Sequence, residues 1–458
     1  MNTILLQICK NFIGEVAEFF NEGQIRSLEE IEDHLKRVCN EYILEMVKTY
    51  FEILDKTLVE DKQGRKRKGL VIERKGDKRE TYIRFGLLEF ERTYFKDKKN
   101  KGYVYLLDQA VGLESYERVS KSVAVDLVRH ANEVSYGKSS RYVSGGEISR
   151  QTVMNKVRHL KKLKKEQPET RRQVGVLHVE ADEDHVTLQD GINTIVPLIS
   201  IHEGVERNGM RGKCKNIHHI SDYGKSPEEL WLEAANWIYK AYNVDYVERI
   251  YLHGDGAAWI KEGLNWLPKS KMVLDRYHLN RAIVAATGNQ PEHRKEIYSS
   301  ILQGNREQFK AIIKQMNLKA TETEAKKRSV QEASRYILSN WKGIRNQYEA
   351  DYAGCSAEGH VSHILSSRLS SRPLGWCKTG VDQMARLRVF IANGGKVYDL
   401  FIKRKKAVIK EARAIKVDQE IMKKRKLSAS HENIGNVTIL NIGKRSWISQ
   451  YLKSVRGA

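Results

Sequence analysis

Cysteine is scarce and poorly placed for bridging. The five residues Cys9, Cys39, Cys214, Cys355 and Cys377 are odd in number and form no C-x-x-C. Neither a disulfide framework nor a zinc ribbon is expected, and a reducing compartment fits such usage. No apolar run reaches the roughly eighteen residues that a membrane-spanning helix needs. The opening stretch MNTILLQICKNFIGEVAEFF has no basic leader region and carries Glu15 and Glu18, so no secretion signal is expected and the cytoplasm is the expected location. No G-x-S-x-G occurs and no cysteine has a basic, strand-end context, which disfavours serine and cysteine hydrolases. Internal repeats and low-complexity segments are also missing.

Acidic residues are the other deficit. Lys and Arg number 80 against 58 Asp and Glu, a net charge of +22. Such an excess favours a polyanionic partner: DNA, RNA or an anionic membrane surface. A generic basic protein that binds ribosomal RNA is the bland alternative. A chain of 458 residues exceeds one ordinary core, so two to four domains are expected.

Periodicity divides the chain. Residues 1–60 read as helices, with Ile43, Met46, Val47, Tyr50 and Leu54 at helical spacing and Ser27 to Glu30 as a capping box. The region 61–115 opens on a basic run, Lys62 to Lys68, read as a loop, and continues as a small β region around TYIRFG and LLEFERTYF. Residues 116–166 have the rhythm of a helix-turn-helix. Ser149 caps its last helix, which offers Arg150, Gln151, Asn155 and Arg158 to base edges or phosphates, with a plain basic surface helix as the competing reading. A charged linker over 161–173 follows.

The pattern over 174–278 is α/β. VGVLHVEAD, HVTLQ and NTIVPLISIHEG read as three successive strands, followed by alternating helices and strands, which predicts a mixed sheet flanked by helices. Residues 279–350 look helical, 351–395 are expected to form the second part of the core and to carry Glu358, and 396–458 form a basic tail. That tail has eleven Lys or Arg between Lys403 and Lys426 and suits either phosphate tracking or a solvated face.

Three acids stand out against this basic background. Asp182 closes one apolar strand, Asp255 closes a second in YLHGDG, and Glu358 opens the helical stretch AEGHVSHILSSRL. Two strand-end aspartates and a later helical glutamate suit phosphodiester chemistry with two divalent ions about 3.5–4 Å apart. Oxygen-only ligands favour Mg²⁺, and Mn²⁺ fits the same donors. Residues 180, 182 and 184 share one strand face, so Asp184 competes with Asp182 as the first ligand. Asp275 and His278 form a D-x-x-H at a strand end and helix start. Arg368 and Arg372 are expected to face a nucleic-acid backbone.

The set EADEDHVTLQ, YLHGDGAAWIK, LDRYHLNRA and AEGHVSHILSSRLSSRPLGW, with YLLDQAVGL, SYGKSS and ISRQTVMNKV upstream, resembles the DDE transposases of the ISLre-type bacterial insertion sequences. These are related to Mutator-like elements with a C/D-x-x-H signature, and are often described only as an uncharacterised protein family. The resemblance covers nearly the whole chain; its motifs are specific as a set and weak singly. It implies an RNase H-like core in which a mixed sheet brings two aspartates together and a helix supplies the glutamate, interrupted by the all-helical insertion 279–350. It further implies Asp182, Asp255 and Glu358 as metal ligands and catalytic residues, with Asp275 and His278 in support. Terminal inverted repeats and target DNA would be the partners, handled by a homo-oligomer. A domesticated transposase that only binds DNA, or an RNase H-like nuclease, are the alternatives.

Overall fold

Strand-forming and helix-forming patterns lie in separate blocks of this chain, and the observed elements follow those blocks. A computed structural model describes residues 2–402 except 22–24, 161–162, 164–167, 169, 210, 289, 320–323, 353, 355 and 373–374. Much of the linker expected at 161–173 and the basic tract beyond 402 lie outside the described residues.

The chain opens with helices α1 (Asn2–Asn21), α2 (Leu28–Glu60) and α3 (Lys62–Lys68). The capping box at the start of α2 forms as the spacing predicts: Ser27 N–H donates to Glu30 at 2.8 Å and Glu30 N–H to Ser27 Oγ at 3.2 Å. The basic run 62–68 is a helix, not the expected loop. Asp61 caps it by accepting the Gly64 N–H at 2.9 Å, and Gly69, at φ 73°, ends it in the left-handed conformation that glycine tolerates. Strands β1 (Leu70–Ile83), β2 (Gly86–Asp97) and β3 (Gly102–Tyr105) form a sheet in that order, followed by α4 (Leu106–Val111).

Contacts divide the chain into two units. The smaller is built from Thr49–Arg79 and Phe90–Tyr116. Within it Asp55 accepts the Thr93 N–H and hydroxyl at 3.1 and 2.7 Å, and Phe51 meets Phe90 edge-on. Arg79 and Arg92 converge on the buried Asp108. Burial pushes the Asp108 carboxyl up while the two guanidiniums oppose that shift.

The larger unit comprises Met1–Lys48, Glu80–Glu89 and Glu117–Ile402. Its helices α5 (Lys121–Glu133), α6 (Tyr136–Ser144) and α7 (Arg150–Arg158) pack on one another, each started by a serine cap: Ser120, Ser135 and Ser149. Next come β4 (Val176–Thr187), β5 (Asn193–His202), the hairpin β6 (Val205–Asn208) and β7 (Arg211–Cys214), β8 (His218–Ile220), α8 (Pro227–Ala241) and β9 (Arg249–Gly254). The short helices α9 (Ala258–Lys261) and α10 (Gly263–Trp266) lead to β10 (Ser270–Leu274).

Five of these strands form one mixed sheet, ordered β10-β9-β4-β5-β8. Central β4 runs parallel to β9 and antiparallel to β5, and β10 runs parallel to β9. The two expected strands VGVLHVEAD and HVTLQ are one continuous strand. Its pairing with β5 holds from His178 to Thr187 without a break, because Val186 and Val196 carry the apolar pattern past the acids into a buried layer.

Each face of the sheet has its own core. Leu177, Val179, Ala181, Ile199, Ile201 and Leu252 pack on one side with Leu230 and Trp231 of α8. On the other, Val186, Val196 and Leu198 join Val123, Leu127 and Val153 of the helical trio.

Helices α11 (Arg276–Thr287), α12 (His293–Gln303), α13 (Arg306–Lys319), α14 (Glu324–Ser339) and α15 (Trp341–Arg345) surround a third core that includes Ile283, Ile297, Phe309, Ile337 and Ile344. The remaining described elements are α16 (Ala357–Val361), a π-helical turn (Ser362–Ser366), α17 (Ser367–Leu369), α18 (Lys378–Ala392) and α19 (Val397–Phe401). Among the described residues no helix is long and apolar enough to cross a membrane.

Candidate active site

The polar stripe of β4 lies on the sheet face opposite α8. Strand alternation sends His178, Glu180, Asp182 and Asp184 to that side, and all four are buried. Asp182 accepts the N–H of Glu183 through Oδ1 at 2.8 Å. Asp255 follows the last residue of the neighbouring strand β9 and accepts the Ala257 N–H at 2.8 Å. Glycine is required on both sides of Asp255. A Cβ on Gly254 would stand 2.9 Å from the Ala181 carbonyl oxygen, and Gly256 sits at φ +88°. Glu358 lies in the first turn of α16, which packs against β4.

Asp182 feels the charge of the other two acids. The Asp182 carboxyl is pushed up to about 7, first by burial and then by the negative charges of Glu358 and Asp255, against the Glu183 N–H and His278, which favour ionisation. Like charges held together in a poorly solvated place call for a cation, and all three side chains offer hard oxygen donors. Among the described residues no three His, Cys, Asp or Glu side chains stand close enough, as placed, to hold a metal ion.

Asp275 and His278 complete this neighbourhood. Asp275 caps α11 by accepting the Tyr277 N–H at 2.6 Å, and its own N–H donates to the Gly254 carbonyl at 2.9 Å. His278 Nδ1 lies 3.7 Å from Asp275 Oδ1. The imidazole is held above its ordinary pKa chiefly by Asp275, with smaller contributions from Asp255 and Asp182. The D-x-x-H spacing therefore sets an imidazole beside Asp275, where the acids favour its protonated form.

Asp184 has a different environment from Asp182. Its Oδ1 accepts two hydroxyls, Ser366 Oγ at 2.8 Å and Ser370 Oγ at 2.6 Å. Glu180 likewise is occupied: it accepts the Ser356 N–H at 2.8 Å, meets His202 Nε2 at 3.2 Å and pairs with His360 Nδ1 at 2.8 Å. Sequence reasoning passed over this row of imidazoles, in which His178 contacts His253 at 3.1 Å and stacks on His202. The signal was available as polar residues recurring every second position in HVEADED.

The residues expected to touch nucleic acid separate into two groups. Arg150, Gln151 and Asn155 are exposed on α7, and Arg372 is exposed beyond α17. Arg158 is half-buried and donates to Cys377 Sγ at 2.8 Å. Arg368 does not face outward as expected. It is buried, donates to the Ala131 carbonyl at 2.9 Å and lies over the Trp376 and Tyr136 rings. Burial lowers its pKa to about 10. That side of α17 turns inward because α5 and α18 pack against it.

Related proteins extend over the same span. A chain from Caldanaerobacter subterraneus subsp. tengcongensis, described as a UPF0236 protein, is 40% identical over 464 residues, covering 99% of this chain and 98% of the relative. Another from that organism is 39% identical over 462 residues, with 99% and 98% covered, and its name joins eleven loci of one genome. Many paralogues in a single genome are typical of mobile elements. A UPF0236 protein of the vanSb 3′ region in Streptococcus gallolyticus is 25% identical over 388 residues, 81% of this chain and 84% of its own length. The profile of the uncharacterised protein family UPF0236 matches residues 22–406, and the chain belongs to that family.

Proposed function

We propose that this protein is a DDE-type DNA transposase that binds the ends of its own insertion sequence and carries out phosphodiester hydrolysis and strand transfer. The observation that carries this reading is the placement of Asp182 on β4, Asp255 at the end of the adjacent parallel strand β9 and Glu358 on a helix packed against β4, with both other acids acting on the Asp182 carboxyl. A mixed sheet that brings two aspartates together, with a helix supplying a glutamate, is what the RNase H-like resemblance implies. The multi-locus relatives support a mobile-element origin, and the +22 charge supports a DNA substrate.

In this reading Asp182, Asp255 and Glu358 would hold two Mg²⁺ or Mn²⁺ ions, and Asp184 is the less suited first ligand because two serines already occupy its Oδ1. The chemistry supplied by such ions is activation of a water or 3′-hydroxyl and stabilisation of the leaving oxygen. The chain's own residues contribute placement. Asp275 fixes the start of α11 and orients His278 toward the acids. The three-helix group α5–α7 would act as the helix-turn-helix, with Arg150, Gln151 and Asn155 reaching the terminal repeats. Action at two ends implies a homo-oligomer.

The test uses purified full-length protein, Mg²⁺ or Mn²⁺, and DNA bearing the ends of the element that encodes it. Nicking that leaves a 3′-hydroxyl, followed by joining to target DNA, is expected, and Asp255→Asn should abolish both. Equal activity in that variant would overturn the assignment. Binding that persists in EDTA without cleavage of any substrate would mark a DNA-binding protein that keeps only the fold. Cleavage without joining or any need for repeats would mark a nuclease.

A further inference from the structure

The face of β4 presents three acids at alternate positions, yet only the middle one is free of side-chain donors from the segment that carries Glu358. Glu180 holds the beginning of that segment. Its Oε1 accepts the backbone N–H of Ser356 at 2.8 Å, and its Oε2 pairs with His360 Nδ1 at 2.8 Å. These two contacts bracket Glu358, two residues on either side. Asp184 holds the far end, where Ser366 and Ser370 both donate to Oδ1 at 2.8 and 2.6 Å.

Between the two anchors the helix is irregular. A π-helical turn runs from Ser362 to Ser366, a rare irregularity that is frequent at functional sites. Arg388 of α18 contacts this turn from outside. Its guanidinium donates to the carbonyls of His363 and Ile364 and, at 3.0 Å, to Ser367 Oγ. The segment is therefore fastened to the strand at both ends and braced from outside in the middle.

We propose that Glu180 and Asp184 are positioning residues that strap the 356–370 segment to β4 and so set where the Glu358 carboxylate stands relative to Asp182. This rests on the transposase reading for its functional consequence, while the strap itself is a property of the fold. A regular strand gives the reason for the arrangement. Residues two apart on one face are separated by a nearly constant rise of about 3.3 Å per residue, so carboxylates flanking Asp182 fix the helix at two known distances from it. Both flanking acids are buried, where an unpaired carboxylate is costly, and the segment supplies donors to one oxygen of each and an imidazole beside the other oxygen of Glu180.

Hydrogen–deuterium exchange on the full chain tests the strap without any need for activity. Glu180→Gln and Asp184→Asn keep side-chain shape and remove charge. Each is expected to speed exchange within 356–370 while amides of β9 and β10 keep wild-type protection. Unchanged exchange in 356–370 in both variants overturns the proposal. Should Glu180→Gln fail to fold, the Ser366→Ala/Ser370→Ala double variant probes the far anchor from the helix side.

Cleavage then tests the consequence. In Glu180→Gln, kcat is expected to fall, up to about 10²-fold for an ångström-scale misplacement, while KM for DNA ends stays unchanged and the Mg²⁺ midpoint rises. Glu180→Asp should leave the exchange pattern closer to wild type and recover part of kcat. An equal loss in KM and kcat, or no loss at all, overturns the positioning role. If wild-type protein cleaves no DNA, the transposase reading fails, and the exchange experiment still decides whether the strap exists.

Discussion

Tyr336 donates its hydroxyl to the main-chain carbonyl of Asp255, a residue 81 positions earlier in the chain. Tyr336 belongs to α14 of the helical segment that separates the second aspartate from Glu358. Asn340, one turn on, lies beside Gly256. The segment is thus a brace for the G-D-G turn as well as a spacer in sequence. Tyr336→Phe leaves the Asp255 carbonyl without this donor and should lower stability by about 1 kcal/mol. DNA cleavage should fall by more than the loss of folded protein accounts for. Urea titration beside cleavage assays separates the two, and unaltered turnover would show that the brace has no catalytic consequence.

Gly256→Ala should be the harsher change. A Cβ at that position meets Asn340 Oδ1 at 2.7 Å, and the backbone holds φ +88°. The expected cost is on the order of 1–3 kcal/mol. Pairing it with Asn340→Ala should recover part of the loss in a thermal melt; no recovery would assign the cost to backbone strain alone.

Crowded carboxylates predict a response to divalent ions. Burial and two neighbouring acids oppose ionisation of Asp182, so the metal-free protein carries a penalty at neutral pH that a bound cation would remove. Mg²⁺ or Mn²⁺ should raise Tm, and EDTA should reverse the rise. Asp182→Asn should raise the unfolding free energy of the metal-free protein by an amount on the order of a few kcal/mol and erase the response to ions. A response that survives in this variant would place the ions elsewhere.

Buried imidazoles predict acid sensitivity. His178 and His219 are both lowered from 6.5 to about 3, chiefly by burial and then by neighbouring histidines. Above pH 6.5 neither the folded nor the unfolded chain protonates them, so they leave stability unchanged there. As pH falls from 6.5 toward 3 the unfolded chain takes up protons that the folded chain refuses. Each group then lowers stability by at most about 1.4 kcal/mol per pH unit. Asp182 acts in the opposite sense between about 7 and 3.8, so wild type and His219→Gln should be compared at several pH values. The stability gap between them should shift in favour of the variant as pH falls, and a pH-independent gap would contradict the assignment.

The arginines separate by exposure. Arg150→Ala should weaken binding of DNA ends and reduce the slope of affinity against salt by about 1. Arg368→Met should leave that slope intact and lower stability by about 1–3 kcal/mol, since the Ala131 carbonyl loses its donor. Salt titrations of binding alongside melts distinguish the two, and a reduced slope in Arg368→Met would contradict its inward orientation.

Much of the local structure was legible. Ser27 with Glu30, Ser149 and Asp275 act through residues two or three positions on, so spacing alone reveals their caps. The mixed sheet follows from alternating apolar runs, and the polar row of β4 is visible as a period of two. The helix over 62–68 was hidden because a basic run with an internal glycine has weak helical character. The Asp61 and Gly69 caps bound it, and contacts of Arg65 with Val59 and of Lys99 with Arg67 help to hold it. The single strand 176–187 was read as two because four acids or acid-like positions interrupt its hydropathy, and pairing with β5 overrides that interruption.

The sequence by itself determined which residues carry charge, which positions alternate, that Asp255 follows a strand and that Glu358 opens a helix, since those properties depend on neighbours a few residues away; Asp182, expected to close a strand, lies inside one because β5 pairs on past it. Tertiary structure decided what each acid does. Asp184 and Glu180 share a face and a residue class with Asp182, yet serines more than 180 positions downstream engage the one, and Ser356 with His360 engage the other. Arg368 turned inward for the same reason. Burial and pairing depend on which distant segments pack together, and no local pattern encodes that contact.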